Sequence, residues 1–132
     1  MFAEAIEQLG IKVKLDFAED GSILMNMLHD ETRGVPDLIF LDLNMPNKTG
    51  RECLEMIRRE ARLKTIPVVI YSTSSSPKDI DETFEGGANL YVRKPYSFKE
   101  LQLISRKILG LNWDKYKPHT SRSQFLFSVK NH

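Results

Sequence analysis

The stretch Leu38-Ile39-Phe40-Leu41-Asp42-Leu43-Asn44-Met45-Pro46 sets the tightest limit on the fold, because an apolar run is broken by one carboxylate just ahead of a turn. A run this short and continuous, preceded by Val35-Pro36-Asp37 and followed by Asn47, reads as a strand covered on both faces, as in a parallel sheet flanked by helices. Asp42 then sits at the strand's C-terminal end, where the loops leaving an open α/β sheet meet in a crevice. An isolated Asp before a turn is more often a cap. Two further positions argue for another role here.

They stand at the ends of the next two strand-like runs. Pro67-Val68-Val69-Ile70-Tyr71 ends in Ser72, and Leu90-Tyr91-Val92-Arg93 ends in Lys94-Pro95. If the strands are parallel neighbours, a carboxylate, a hydroxyl and an ammonium converge. That trio suits phosphoryl handling, with the carboxylate as acceptor and the hydroxyl and ammonium binding the phosphoryl oxygens where charge develops.

The order Asp42, Ser72, Lys94-Pro95, with separations of 30 and 22 residues, resembles the receiver domain of two-component response regulators over residues 1 to about 110. The resemblance implies a flavodoxin-like, doubly wound parallel sheet, with residues 1–110 as the receiver domain and 111–132 as a C-terminal extension. It implies that Asp42 takes phosphate from a histidine kinase or phosphotransfer protein, that Ser72 and Lys94 bind the phosphoryl group, and that Tyr91 turns inward when the hydroxyl moves. Mg²⁺ would be held by Asp42, by the backbone carbonyl of Asn44 and by an acidic pair. Such a chain is a cytoplasmic signalling module and not an enzyme. Its partner surface, which also serves for homodimers, would be the fourth helix, fifth strand and fifth helix, with Ile80, Phe84, Tyr91 and Tyr96 near one another.

Composition fits one domain of ordinary soluble type. The 132 residues can bury a core without staples, and no apolar run approaches the ~20 residues of a membrane helix. The start, Met1-Phe2-Ala3-Glu4-Ala5, lacks the charged-then-apolar pattern of a leader. A lone Cys53 excludes an internal disulfide and fits a reducing compartment. A net charge of +1 gives no electrostatic case for nucleic acid.

Taken in order, residues 2–9 carry Phe2, Ala5, Ile6 and Leu9 at helical spacing, and residues 13–17 alternate as a strand. Asp20-Gly21-Ser22 opens a second helix with Ile23, Leu24, Met27 and Leu28 inward. Glu19 and Asp20 read as capping and helix-dipole compensation in preference to a metal pair. Thr49-Gly50-Arg51-Glu52 is a capping box, Ser76-Pro77 with Asp79 opens a fourth helix closed by Gly86-Gly87, and Ser97 to Glu100 opens the last.

Compared with a complete receiver, the chain starts well into the first helix, and roughly fifteen to twenty residues are not there on ordinary element lengths. They would carry the central strand and the acidic pair. With one carboxylate and one carbonyl the site is expected to hold Mg²⁺ weakly or not at all, which keeps open a phosphorylation-independent interaction module as the alternative. A flavodoxin-like flavin or nucleotide binder ranks last for want of a Gly-rich phosphate loop. Residues 124–129, Gln124-Phe125-Leu126-Phe127-Ser128-Val129, have strand composition. They are expected to replace the absent strand beside residues 13–17 and the Asp42 strand, within the chain or swapped into a neighbouring copy.

Overall fold

Alternation along three short strands places apolar side chains on both faces of one sheet, and that two-sided burial dictates the layering. The computed structural model describes residues 2–127. Its strands are β1 (Ile39–Leu41), β2 (Val68–Ser72) and β3 (Leu90–Arg93), all parallel in the order β1-β2-β3. The register pairs Leu41 with Ile70 and Ser72 with Arg93. The helices are α1 (Phe2–Glu7), α2 (Gly21–His29), α3 (Gly50–Arg59), α4 (Pro77–Glu85), α5 (Phe98–Leu109) and a short α6 (Arg122–Phe125).

Ile39, Leu41, Val68, Ile70 and Tyr91 face one layer, where they pack with Met25 and Leu28 of α2, Cys53, Leu54 and Ile57 of α3, and Ile80 and Phe84 of α4. Val69, Leu90 and Val92 face the other, against Ile104 and Ile108 of α5 with Trp113 and Tyr116. On that second face α1 packs against α5, and Phe2 stands edge-on to Phe40 and Tyr71. This is the doubly wound α/β arrangement expected from the sequence.

The helix starts form as their residue types require. The Asp20 carboxylate accepts from the Ile23 amide at 2.8 Å and from Asn47 Nδ2 at 2.8 Å, so it is a cap. Thr49 and Glu52 close a reciprocal capping box, and Ser76 and Ser97 accept from the amides of Asp79 and Glu100. Pro77 follows Ser76 at the start of α4.

Two expectations are corrected. Residues 13–17 form no strand, and Phe17 is 60% exposed. A strand closes no hydrogen bonds of its own, and this segment pairs with none of the described strands, so its alternating pattern is not enough. Nor do residues 124–127 fill a slot beside β1. Residues 122–125 are helical, started by Ser121, and Leu126 pairs in parallel with Tyr91 on the opposite, outer edge of the sheet. The reason lies upstream. The Asn89 side-chain amide donates to the Tyr116 carbonyl at 2.9 Å, which fixes the extension at the entrance to β3. From there it runs along the β3 edge beside α4, and Phe125 fills a buried aromatic slot there. Ser128 and Val129 lie outside the described residues.

Candidate functional site

Asp42 directly follows β1, Ser72 ends β2, and Lys94 directly follows β3, so parallel register alone delivers the three to one edge of the sheet. Asp42 and Lys94 meet there. Lys94 Nζ lies 2.6 Å from Asp42 Oδ2, and their side chains are 31% and 35% exposed respectively. An ion pair so accessible to water contributes about 0–1 kcal/mol, so it can open at little cost. The second carboxylate oxygen, Oδ1, accepts from the Asn44 amide at 3.0 Å, which holds the loop after β1 against its own acid.

Ser72 reaches the same edge but is turned differently. It is fully buried, and its hydroxyl accepts from the Ser74 amide at 3.1 Å. Its carbonyl accepts from the Lys94 amide at 2.8 Å, which locks the turn that aims the lysine. Tyr91 is fully buried, with its hydroxyl donating to the Ser74 carbonyl at 2.9 Å. Tyr91 therefore lies inward while the Ser72 hydroxyl is bonded to the Ser74 amide.

Tyr71 and Ser74 carried no sequence signal strong enough to single them out, and Gly50 stood out only as part of the loop and capping box after Asp42. Tyr71 lies under Lys94, with Nζ 5.2 Å from the ring centroid, so the ammonium is held over an aromatic face as well as beside a carboxylate. Burial, and then the negative charge of Asp42, pushes the Tyr71 hydroxyl above its usual range. Ser74 is the node of the loop. Its amide, carbonyl and hydroxyl engage Ser72, Tyr91 and Asp79 respectively, the last at 2.6 Å. Gly50 closes the site from below, because a Cβ there would lie 2.3 Å from the Asp42 carbonyl oxygen. The run of serines at 72 and 74–76 was the available hint for Ser74, and it reads equally well as loop. Tyr96 does not join Ile80, Phe84 and Tyr91. It is 89% exposed and stacks on Arg93.

Among the described residues there is no closed cation site. A hard divalent ion takes six or more oxygens, and these residues offer the Asp42 carboxylate, already engaged by Lys94 and the Asn44 amide, with the Asn44 carbonyl as the second candidate. Among the described residues no group of three His, Cys, Asp or Glu could hold a metal.

The response regulator receiver domain family matches residues 1–106. This chain belongs to that family. The probable methanogenesis regulatory protein FilR2 of Methanothrix harundinacea is 32% identical over 120 residues, which cover 87% of this chain and 77% of FilR2. Response regulator Rcp1 of Synechocystis is 36% identical over 102 residues, covering 74% and 69% of the two chains. The Mn²⁺-bound form of Rcp1 superposes with a TM-score of 0.77 over 84% of this chain and 86% of that one, at 34% identity. The phosphorylated cyanobacterial phytochrome response regulator RcpA does so with a TM-score of 0.75 at 35% identity, over 81% and 79%. The fold is the flavodoxin-like receiver fold, and the function is that of a two-component response regulator phosphoacceptor. The phosphorylation-independent alternative is not favoured. Receiver domains are signalling modules that interact with histidine kinases or phosphotransfer proteins, and they generally bind Mg²⁺.

Proposed function

We propose that Asp42 is the phosphoacceptor of this receiver, that Lys94 and Ser72 bind the phosphoryl oxygens, and that Tyr91 carries the switch. The observation behind this reading is the 2.6 Å contact between Asp42 and Lys94 at the C-terminal edge of the sheet, from the two parallel strands β1 and β3 that flank β2. The carboxylate attacks phosphorus, and the bond to the donor nitrogen or oxygen breaks. The ammonium then leaves the carboxylate for a phosphoryl oxygen without leaving the Tyr71 face. The Ser72 hydroxyl has to turn away from the Ser74 amide to reach the same group. That exchange releases the Ser74 loop and, through its carbonyl, the Tyr91 hydroxyl.

In this reading residues 1–110 are the receiver domain and 111–127 belong to an extension packed on it. The donor is a histidine kinase or phosphotransfer protein, and the chain acts in the cytoplasm as a signalling module and not as an enzyme. Mg²⁺ binding by the described residues is weak, since Asp42 and the Asn44 carbonyl would leave most of the coordination to water. Self-association through α4, β3 and α5 would use Tyr96 and Leu103, which remain exposed. The test is acetyl-phosphate labelling across a Mg²⁺ series, followed by intact mass. Wild type gains one phosphoryl group, and Asp42→Asn, a nearly isosteric change, gains none while keeping its melting temperature. Labelling that survives Asp42→Asn would overturn the assignment.

A further inference from the structure

Residues 107–127 lie beyond the stretch that the receiver family matches, yet the last part of them makes a continuous run of contacts along α4 and β3. The Tyr116 carbonyl is held by Asn89 at the start of β3. His119 Nε2 lies 2.8 Å from the Glu85 carbonyl at the end of α4, with its ring edge-on to Phe84. Arg122 pairs with Asp81 and sets its guanidinium 6.0 Å from the Phe84 centroid. Phe125 is 2% exposed, wedged between Phe84 at 5.2 Å and Tyr91 at 6.1 Å. The Phe127 amide then donates to the Tyr91 carbonyl at 2.9 Å.

Tyr91 is therefore gripped from two directions. Its backbone and ring face are covered by the extension, and its hydroxyl is bonded to the Ser74 carbonyl, one residue's backbone away from the amide that holds the Ser72 hydroxyl. Ser74 also ties to Asp79 on α4, the helix that carries Phe84 and Asp81. A rearrangement at Ser74 thus moves both walls of the slot that receives Phe125. Close-packed aromatic slots are bistable and do not deform smoothly, so a shifted wall weakens the fit.

We propose that residues 116–127 form an intramolecular strap over the α4–β3 face, and that movement of the Ser72 hydroxyl toward a phosphoryl group on Asp42 loosens it. This rests on the site reading above. The face so uncovered recognises an arginine and an aromatic one helical turn apart, because that is the pattern, Arg122 and Phe125, that now fills it. The strap is the competitor that any partner with this pattern has to displace.

The test uses the full chain and reads amide exchange at Phe127 by NMR, with beryllofluoride and excess Mg²⁺ as the phosphoryl mimic. Beryllofluoride should shift the Asp42 and Lys94 amides and speed Phe127 exchange by about tenfold, within the usual range of coupling between sites. By linkage, Arg122→Glu, an exposed change that leaves the core intact, should lower the half-saturating beryllofluoride concentration, by up to the same factor. Shifts at Asp42 and Lys94 with unchanged Phe127 exchange would overturn the strap and leave the site reading standing. No shift at Asp42 or Lys94 would overturn the site reading, and the coupling with it. Phe127 protection that falls on dilution would place the segment on a neighbouring copy and overturn the intramolecular assignment.

Discussion

Tyr71 illustrates how a single side chain can report on the site without taking part in the chemistry. Burial first, and Asp42 second, raise its hydroxyl above the ordinary value of about 10, so the folded protein keeps the proton where the unfolded chain loses it. The stability tied to this group is fully present below the unfolded value and is lost as pH rises through the folded one. Denaturant melts in an alkaline pH series should show that decline in wild type and a smaller one in Tyr71→Phe; equal slopes would mean that Tyr71 is not the group responsible. At Tyr91 the hydroxyl has one bond to contribute, to the Ser74 carbonyl. Tyr91→Phe should cost about 1 kcal/mol in equilibrium unfolding while the Phe125 packing persists. A loss of several kcal/mol would show that the hydroxyl holds more of the loop than this bond.

Helix α3 supplies the floor of the site, and its first residue explains how closely it can approach. The Gly50 amide donates to the Leu43 carbonyl at 3.1 Å, and a methyl group at Gly50 would collide with the backbone of Asp42 and Leu43. Gly50→Ala should cost about 1–3 kcal/mol, as overpacking against an immovable backbone does, and should also reduce phosphoryl labelling by displacing Asp42. Thermal melts and labelling read the two effects separately. Helix α4 is tied down by Asp79, whose carboxyl is held below the usual range chiefly by the Ser74 hydroxyl, with Arg51 adding to it against the effect of burial. A lowered carboxylate contributes stability above its unfolded value of about 4, and this is lost as pH falls through the folded value. Wild type should lose more stability than Asp79→Asn on acidification below pH about 4, when both are compared by denaturant titration.

Across the whole molecule one half-buried guanidinium ties several elements together. Arg58 of α3 donates to the carbonyls of Gly87, Lys64 and Ile66 and to Asn89 Oδ1, at 2.7–3.0 Å. Asn89 in turn accepts from the Val68 amide and donates to Tyr116. Arg58→Met would keep the packed stem but strand those acceptors, at a cost of about 3 kcal/mol. Because Asn89 anchors the extension, the variant should also expose Phe125 to solvent quenchers and loosen residues 116–127. Stability lost with the extension still protected would show that the two are independent.

What the sequence determined by itself is what closes within a few residues or repeats along one strand. The starts of α2 to α5 were legible because Asp20, Thr49, Ser76 and Ser97 each accept from the amide three positions ahead. The parallel sheet was legible from continuous apolar runs. Asp42, Ser72 and Lys94 followed, because each stands at the end of one of those runs. What only the tertiary structure decided depends on partners far away in the chain. Residues 13–17 have the alternation of a strand, but a strand exists only where a neighbour accepts its hydrogen bonds. Residues 124–127 have strand composition, yet Asn89, Phe84 and Tyr91 decide which edge they reach and turn half of them into helix. Ser74 and Tyr71 look like loop and core in the sequence. Their roles arise because folding brings the Ser72 and Tyr91 hydroxyls to the amide and the carbonyl of one residue, and sets a lysine over one ring.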